Sequence, residues 1–417
     1  VAEQLRCAGV GRGDRVAVIM DKGAEQVAAV LGVLLMGGTY LPIDTTSPAP
    51  RRRHMMAAAR ASAVLTQEWV DPGVDAAIRL VVSRPDRVPG LQEVVEDSCR
   101  TDPAELAYII FTSGSSGVPK GVMITHAAAW NTVADINARF AMGPADRVLG
   151  LAQLGFDLSV FDIFGPLSAG GTLVLPEAGR RSDPSHWATL ITEHRVTVWN
   201  SVPAQMQMLV EYCGHGARES GAPTTLRLVL LSGDWIPVTL PDRVRDLTRG
   251  ATVVSLGGAT EAAIWSIHHV IDDPVLADWA SVPYGRPLTN QAFRVVDDEG
   301  RDAPVWMAGE LCITGSGLAR GYLEDPGLTA ERFPRLLGRR CYRTGDVGRY
   351  LPGGEIEFLG RRDSQVKVRG HRVELGEIEA TLLAVPGVGA AAVTVATGAT
   401  GSRILLGFVE PERRSID

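Results

Sequence analysis

The sequence predicts an α/β fold: a large core of mostly parallel sheets, then a barrel-like β part, then a partial small α+β domain. Three observations predict it. Strand-like and helix-like segments alternate through the first two-thirds of the chain. From about Ser281, short β-like runs broken by Gly and Pro replace that alternation. From Arg361 a highly charged stretch opens, followed by one helical segment and two strand-like ones.

The elements follow in order. DRVAVIM (14–20) reads as a strand. An apolar helical pattern runs from Ala24 to Met36 and stops at Gly37–Gly38. SAVLTQ (62–67) and RLVLLSG (227–233) are continuous apolar runs, as buried parallel strands require. SHWATLITEH (185–194) has helical periodicity. AFRVVDD, GELCITG and EIEFLG supply the later β runs. A boundary is expected near Asp363, dividing a core over 1–361 from a partial small domain over 362–417.

Composition narrows the function. The chain has 417 residues, 45% hydrophobic and 21% charged, with a formal net charge of −7. That length exceeds one ordinary domain. The charge points to no nucleic-acid partner and no membrane surface. The apolar runs are too short for a membrane span. Five cysteines lie scattered without a CxxC pair, as buried free thiols of the reducing cytoplasm do. Lysine stands only at Lys22, Lys120 and Lys367, although arginine is abundant. A lysine retained against that drift marks a place where a compact ammonium is needed.

The most informative segment is LAYIIFTSGSSGVPKGVMITH (106–126). A buried strand runs into Thr112, Ser113, Gly114, Ser115, Ser116 and Gly117, and Pro119-Lys120-Gly121 follows. Glycines let backbone N–H groups turn toward an anion, hydroxyls add donors, and Lys120 adds positive charge. The loop is not a Walker A loop, since GxxxxGK[ST] is absent.

TSGSSGVPKG resembles the signature loop of the adenylate-forming superfamily, and the resemblance covers nearly the whole chain. LLMGGTYLPID (34–44) is similar to the family's second core motif. GELCITGSGLARGYLEDPGLTAERF (309–333) is similar to the sixth, YRTGD (342–346) to the seventh and GRRDSQVKVRGHRVELGEIE (360–379) to the eighth. Within that superfamily the chain is identified as a peptide synthetase adenylation domain. The resemblance implies a core of two α/β subdomains plus a β-barrel-like one, and a partial C-terminal subdomain. The implied activity joins an amino acid to AMP from MgATP, releases pyrophosphate, and passes the acyl group to phosphopantetheine on a peptidyl carrier protein.

Site residues carry over by motif. In SLGGATEAAIW (255–265), Glu261 is implied to hold Mg²⁺ and Thr260 to donate to a phosphate oxygen. Gly233 and Asp234 belong to the nucleotide site. Asp346 is implied to accept both ribose hydroxyls, with Arg361 near ribose and phosphate, and Asp363 at the hinge between the domains. The chain departs from the pattern at Gly257, where many members carry an aromatic that stacks on adenine. Phe358 stands at the other adenine-stacking position.

The implied amino-acid pocket reads Asp157, Leu158, Phe161, Asn200, Leu230, Ser232, Leu256, Ile264 and Trp265. That set resembles the family's cysteine-selecting one. Asp157 would pair with an α-ammonium, which aryl-acid members lack. Asn200 and Ser232 are the polar groups suited to the weak thiol donor of L-cysteine.

The family's last motif carries a lysine, and none follows Lys367 here. Two readings stand: a piece of a complete domain, or a parent domain interrupted after its eighth motif by an inserted domain such as a methyltransferase. The position of the break favours the second. Such domains work with or without a small MbtH-like helper, a choice these residues leave open. The rival functions are an acyl- or aryl-CoA ligase, against which Asp157 and the 360–379 motif argue, and a fragment that binds substrate but turns over weakly.

Overall fold

The computed structural model describes residues 1–83, 101–113, 119–214, 223–271, 274–275, 279, 281–362, 365–368, 371–397 and 403–411. Two seven-stranded sheets form the core. In the first, the order is Gly321–Tyr322, Lys120–Thr125, Leu106–Thr112, Thr39–Pro42, Arg15–Val18, Ala63–Thr66, Ile78–Val81. The last five strands of that order run parallel, and Lys120–Thr125 joins antiparallel to Leu106–Thr112. In the second sheet, Thr252–Gly257, Leu228–Ser232, Val198–Ser201, Arg147–Gly150 and Thr172–Val174 are parallel neighbours. Ile267–Val270 and Arg286–Pro287 extend it antiparallel.

These strands are continuous apolar runs because both faces are covered. Leu228–Ser232 and Val198–Ser201 are buried at every position. The strand expected over 14–20 pairs only over Arg15–Val18. The first helix after it, Ala24–Leu35, buries Gln26, Ala29, Val30 and Val33 at three- and four-residue spacing. Helix Pro184–Glu193 starts where Asp183 accepts the Ser185 N–H and Pro184 fixes φ. Helix Leu158–Ser168 is buried almost all round, between helix His126–Arg139 and the second sheet. That burial fixes the residues at its amino end.

The barrel-like part expected from Ser281 onward is a five-stranded antiparallel sheet: Gln291–Val296, Gly309–Gly315, Arg339–Tyr350, Arg335–Leu336 and Ile356–Arg361. Two hairpins follow, Gln365–Val368 with His371–Glu374 and Val388–Thr397 with Arg403–Pro411, and helix Leu375–Leu383 lies between them. This is the expected α+β piece. No helix among the described residues is long and apolar enough to cross a membrane.

Candidate active site

A cavity of about 550 Å³ opens at the carboxyl ends of the second sheet's parallel strands. Strand ends there leave backbone groups and loops facing outward, which is where open α/β sheets bind ligands. Ser232 ends one strand and Gly257 the next. The third sheet closes the far side through Thr344, Asp346, Phe358 and Arg361.

Asp157 occupies the N-cap position of the buried helix, yet its side chain makes no capping bond to the first turn. It lines the cavity, is 6% exposed, and is hydrogen-bonded by the Thr260 hydroxyl. Burial pushes its carboxyl up to about 6; the Thr260 bond and the Lys367 ammonium oppose that, and Glu261 adds to it. Thr260, expected on a phosphate, is therefore engaged with Asp157. Lys367, which the sequence left without a role, lines the same cavity.

Leu158, Ser232, Leu256, Ile264 and Trp265 also line the cavity, as expected. The Ser232 hydroxyl is buried with no partner among the described residues. Ala263 and Ile264 adopt φ of +54° and +73°, a strained region for a β-branched residue. The strain is held by Thr132, whose hydroxyl donates to the Ala263 carbonyl at 2.8 Å, and by the Ser266 N–H on the Gly257 carbonyl at 2.7 Å. Phe161, Asn200 and Leu230 are fully buried and do not line this cavity. Phe161 packs against Trp265 with ring centroids 5.2 Å apart. The Asn200 amide donates to Asp162 at 2.8 Å, drawn there by a carboxylate otherwise held by the Ala152 N–H. Leu230 sits mid-ladder opposite Asn200 and Val254.

At the other end, Asp346 and Arg361 face each other across paired strands and form an ion pair. Arg361 also donates to the Thr344 carbonyl at 3.2 Å, and the Asp346 N–H to the Thr344 hydroxyl at 2.9 Å. Gly233 turns the chain at φ +84°, and Asp234 accepts the Trp235 N–H at 2.9 Å. Phe358 lines the cavity, joined by Trp235 and Tyr284, which the sequence reading missed. The overlooked signal was Gly257 itself: a position stripped of its side chain makes room for another ring.

Glu261 lies directly behind Thr260, fully buried, and Tyr322 donates to one of its oxygens at 2.8 Å. Tyr322 in turn pairs with Val122 in the strand that Lys120 opens. Thr112 and Lys120 face each other across the mouth of their hairpin, with Ser113 following Thr112. Gly114, Ser115, Ser116, Gly117 and Asp363 lie outside the described residues.

Residues 1–323 match the family model of the AMP-binding enzymes. The chain belongs to that family. This AMP-binding enzyme is 50% identical over 411 residues to pyochelin synthetase PchF of Pseudomonas aeruginosa, covering 97% of this chain and 22% of PchF. It superimposes on the nonribosomal peptide synthetase FmoA3 in its α-methyl-L-serine-AMP bound form with a TM-score of 0.78 and 43% identity, covering 87% of this chain and 40% of that one. For PA1221, a nonribosomal peptide synthetase protein with adenylation and PCP domains, the TM-score is 0.84 at 27% identity, over 99% of this chain and 70% of that one. The chain is thus an adenylate-forming ligase of a family whose members use ATP with Mg²⁺, and it spans less than half the length of PchF and FmoA3.

The donor set fits that metal. Among the described residues no group of three or more His, Cys, Asp or Glu side chains is placed to hold an ion. Magnesium needs no such cage, because one carboxylate with phosphate oxygens and water completes its octahedron. Glu261, fully buried next to the cavity-lining Thr260 and bonded by Tyr322, is the carboxylate that would hold it.

Proposed function

We propose that the chain is the amino-acid-adenylating domain of a nonribosomal peptide synthetase and that its amino acid is L-cysteine. The observation that carries this is one cavity containing both a buried carboxylate, Asp157, and a buried hydroxyl without a partner, Ser232. The carboxylate suits an α-ammonium, and the hydroxyl suits a small polar side chain. Leu158, Leu256, Ile264 and Trp265 make the rest of the wall apolar. A thiol loses less on leaving water than a hydroxyl does, which favours cysteine over serine there. FmoA3, with α-methyl-L-serine-AMP bound, supports a small polar side chain at this place.

In this reading the cysteine carboxylate oxygen attacks the α-phosphorus of ATP. The new P–O bond forms as the bond to the β-phosphate bridge breaks, and pyrophosphate leaves. Asp157 holds the ammonium and so aims the carboxylate. Asp346 takes the ribose diol, and Arg361 and Lys120 place positive charge along the phosphates. Mg²⁺, when bound at Glu261, neutralises phosphate charge. A carrier-protein phosphopantetheine thiol then attacks the acyl carbon and AMP leaves, a step that fits the adenylation and PCP domains of PA1221.

Amino-acid-dependent ATP–pyrophosphate exchange tests the reading. Cysteine should give the strongest exchange, with serine, alanine and 2-aminobutyrate weaker; one methylene in an apolar pocket is worth roughly 1–3 kcal/mol. Exchange led by an aryl acid, or product formed on CoA, would assign the chain to the CoA ligases instead. Exchange led by a large amino acid would keep adenylation and overturn cysteine.

A further inference from the structure

The part of the cavity wall formed by Ile264 and Trp265 is built on backbone that does not hold itself. Ala263 and Ile264 both have left-handed φ, and an isoleucine is strained there because its branched Cβ crowds the backbone. Such a conformation persists only where its surroundings over-determine it. Two side chains outside the cavity do so. Thr132, in helix His126–Arg139, is fully buried. Its hydroxyl donates to the Ala263 carbonyl at 2.8 Å and stands 3.4 Å from the Trp265 carbonyl. Gln291, buried at the start of the strand Gln291–Val296, donates its side-chain amide to the Trp265 carbonyl at 3.1 Å. A Cβ at Gly317 would lie 2.6 Å from the Gln291 side-chain oxygen and 3.0 Å from the Ala262 carbonyl oxygen. The bare glycine is what leaves room for the amide against the turn.

The two holders are themselves tied together. The helix that carries Thr132 also grips the chain just before Gln291. The Asn131 amide donates to the Thr289 carbonyl at 2.9 Å, Asp135 accepts the Thr289 N–H at 2.8 Å, and the Asn290 amide donates to the Asn131 side-chain oxygen at 2.9 Å. Helix, turn and third sheet thus form one bonded unit behind the wall. Neither Thr132 nor Gln291 lines the cavity, so each can act on a ligand only through the turn. We infer that Thr132 and Gln291 are positioning residues for substrate selection: they lock Ala263 and Ile264 in left-handed backbone and so fix how far the Ile264 side chain and the Trp265 ring project into the amino-acid pocket. Without them the turn relaxes toward negative φ, Ile264 swings, and the wall no longer gauges the size of the substrate side chain. The inference rests on reading this cavity as the amino-acid pocket.

The test is ATP–pyrophosphate exchange with cysteine and with the larger methionine. Thr132→Val keeps the shape and removes the donor; Thr132→Ser keeps the donor. Thr132→Val should raise the KM for cysteine and cut the preference for cysteine over methionine, each on the order of tenfold, one hydrogen bond's worth, with the KM for ATP unchanged. Thr132→Ser should keep the wild-type preference. A residue that only stabilised the fold would lower the active fraction, which scales both substrates equally. An unchanged preference in a folded Thr132→Val protein therefore overturns the inference. Should that variant not fold, Gln291→Met decides by the same ratio. If the wild type prefers a different amino acid, the cysteine reading fails, and the ratio for that amino acid against a larger one still decides. If it exchanges no amino acid, the adenylation reading fails, and a crystal structure of Thr132→Val decides the locking alone: negative φ at Ile264 supports it, an unchanged left-handed turn overturns it.

Discussion

Asp157 carries opposing demands. A carboxylate that is to meet an ammonium must be kept out of water, and burial, outweighing the Thr260 bond and Lys367 and aided by Glu261, raises it from 3.8 to about 6. In the unfolded chain it gives up its proton near 3.8. The empty pocket thus favours the protonated form, and the folded state loses stability as pH rises from about 4 through 6. The full effect corresponds to roughly 3 kcal/mol at 1.36 kcal/mol per tenfold change in acidity. Asp157→Asn should therefore raise the urea midpoint at pH 8, with the gain fading by about pH 4. The same change should abolish cysteine binding. In the wild type, cysteine affinity should fall as pH drops through about 6, read by calorimetry from pH 8 to 5. A variant no more stable at pH 8 than the wild type would remove burial as the cause. Ser232 makes the complementary case. Ser232→Ala should cut the preference for cysteine over alanine by about tenfold, one hydrogen bond's worth, in exchange assays, with the fold unchanged.

Among the elements, the helix Leu158–Ser168 shows what was and was not legible in the residues. Asp157 at its amino end was legible only through the family resemblance. What the pattern could not disclose was the partner of each polar group. Asn200 and Asp162 both sit in apolar runs, and either could face a ligand. Only the packed helix brings them to 2.8 Å, where the Asn200 amide supports Asp162. Phe161 and Leu230, placed in the pocket by the resemblance alone, are likewise fully buried. The strand alternation and the third sheet's onset were readable because each rests on local periodicity; the Asp346–Arg361 ion pair was not, since it depends on strand register. Lys22, marked in the sequence only by scarcity, donates to the Ala152 carbonyl at 2.6 Å and faces Asp162. It links the end of the Arg15–Val18 strand to the second sheet. Burial lowers it to about 8 and raises Asp162 to about 6, so the pair is held against desolvation. Lys22→Met should leave Asp162 uncompensated and cost about 3 kcal/mol at pH 7.5. Part of that loss should return at pH 5, where Asp162 takes up a proton; urea melts at the two pH values measure it.

On the scale of the whole molecule, the cavity collects walls from the second sheet, the third sheet and the Gln365–Val368 hairpin. A ligand touching all of them couples its binding to the stability of each. AMPPNP with Mg²⁺ at about 100 times its Kd should add about 2.7 kcal/mol to unfolding. The shift should vanish in Asp346→Ala, which keeps the sheets and loses the diol acceptor; differential scanning fluorimetry reads it. A full shift in that variant would move the ribose elsewhere.

The strand Gly321–Tyr322 is only two residues long, yet it touches two parts of the site. Its backbone runs beside the strand that Lys120 opens, and its tyrosine hydroxyl grips Glu261. The lysine proposed for the phosphates and the glutamate proposed for the metal are thus mounted on one common bar, like the fixed jaws of a caliper. Their separation is set by a backbone ladder and a single phenol rather than by loops.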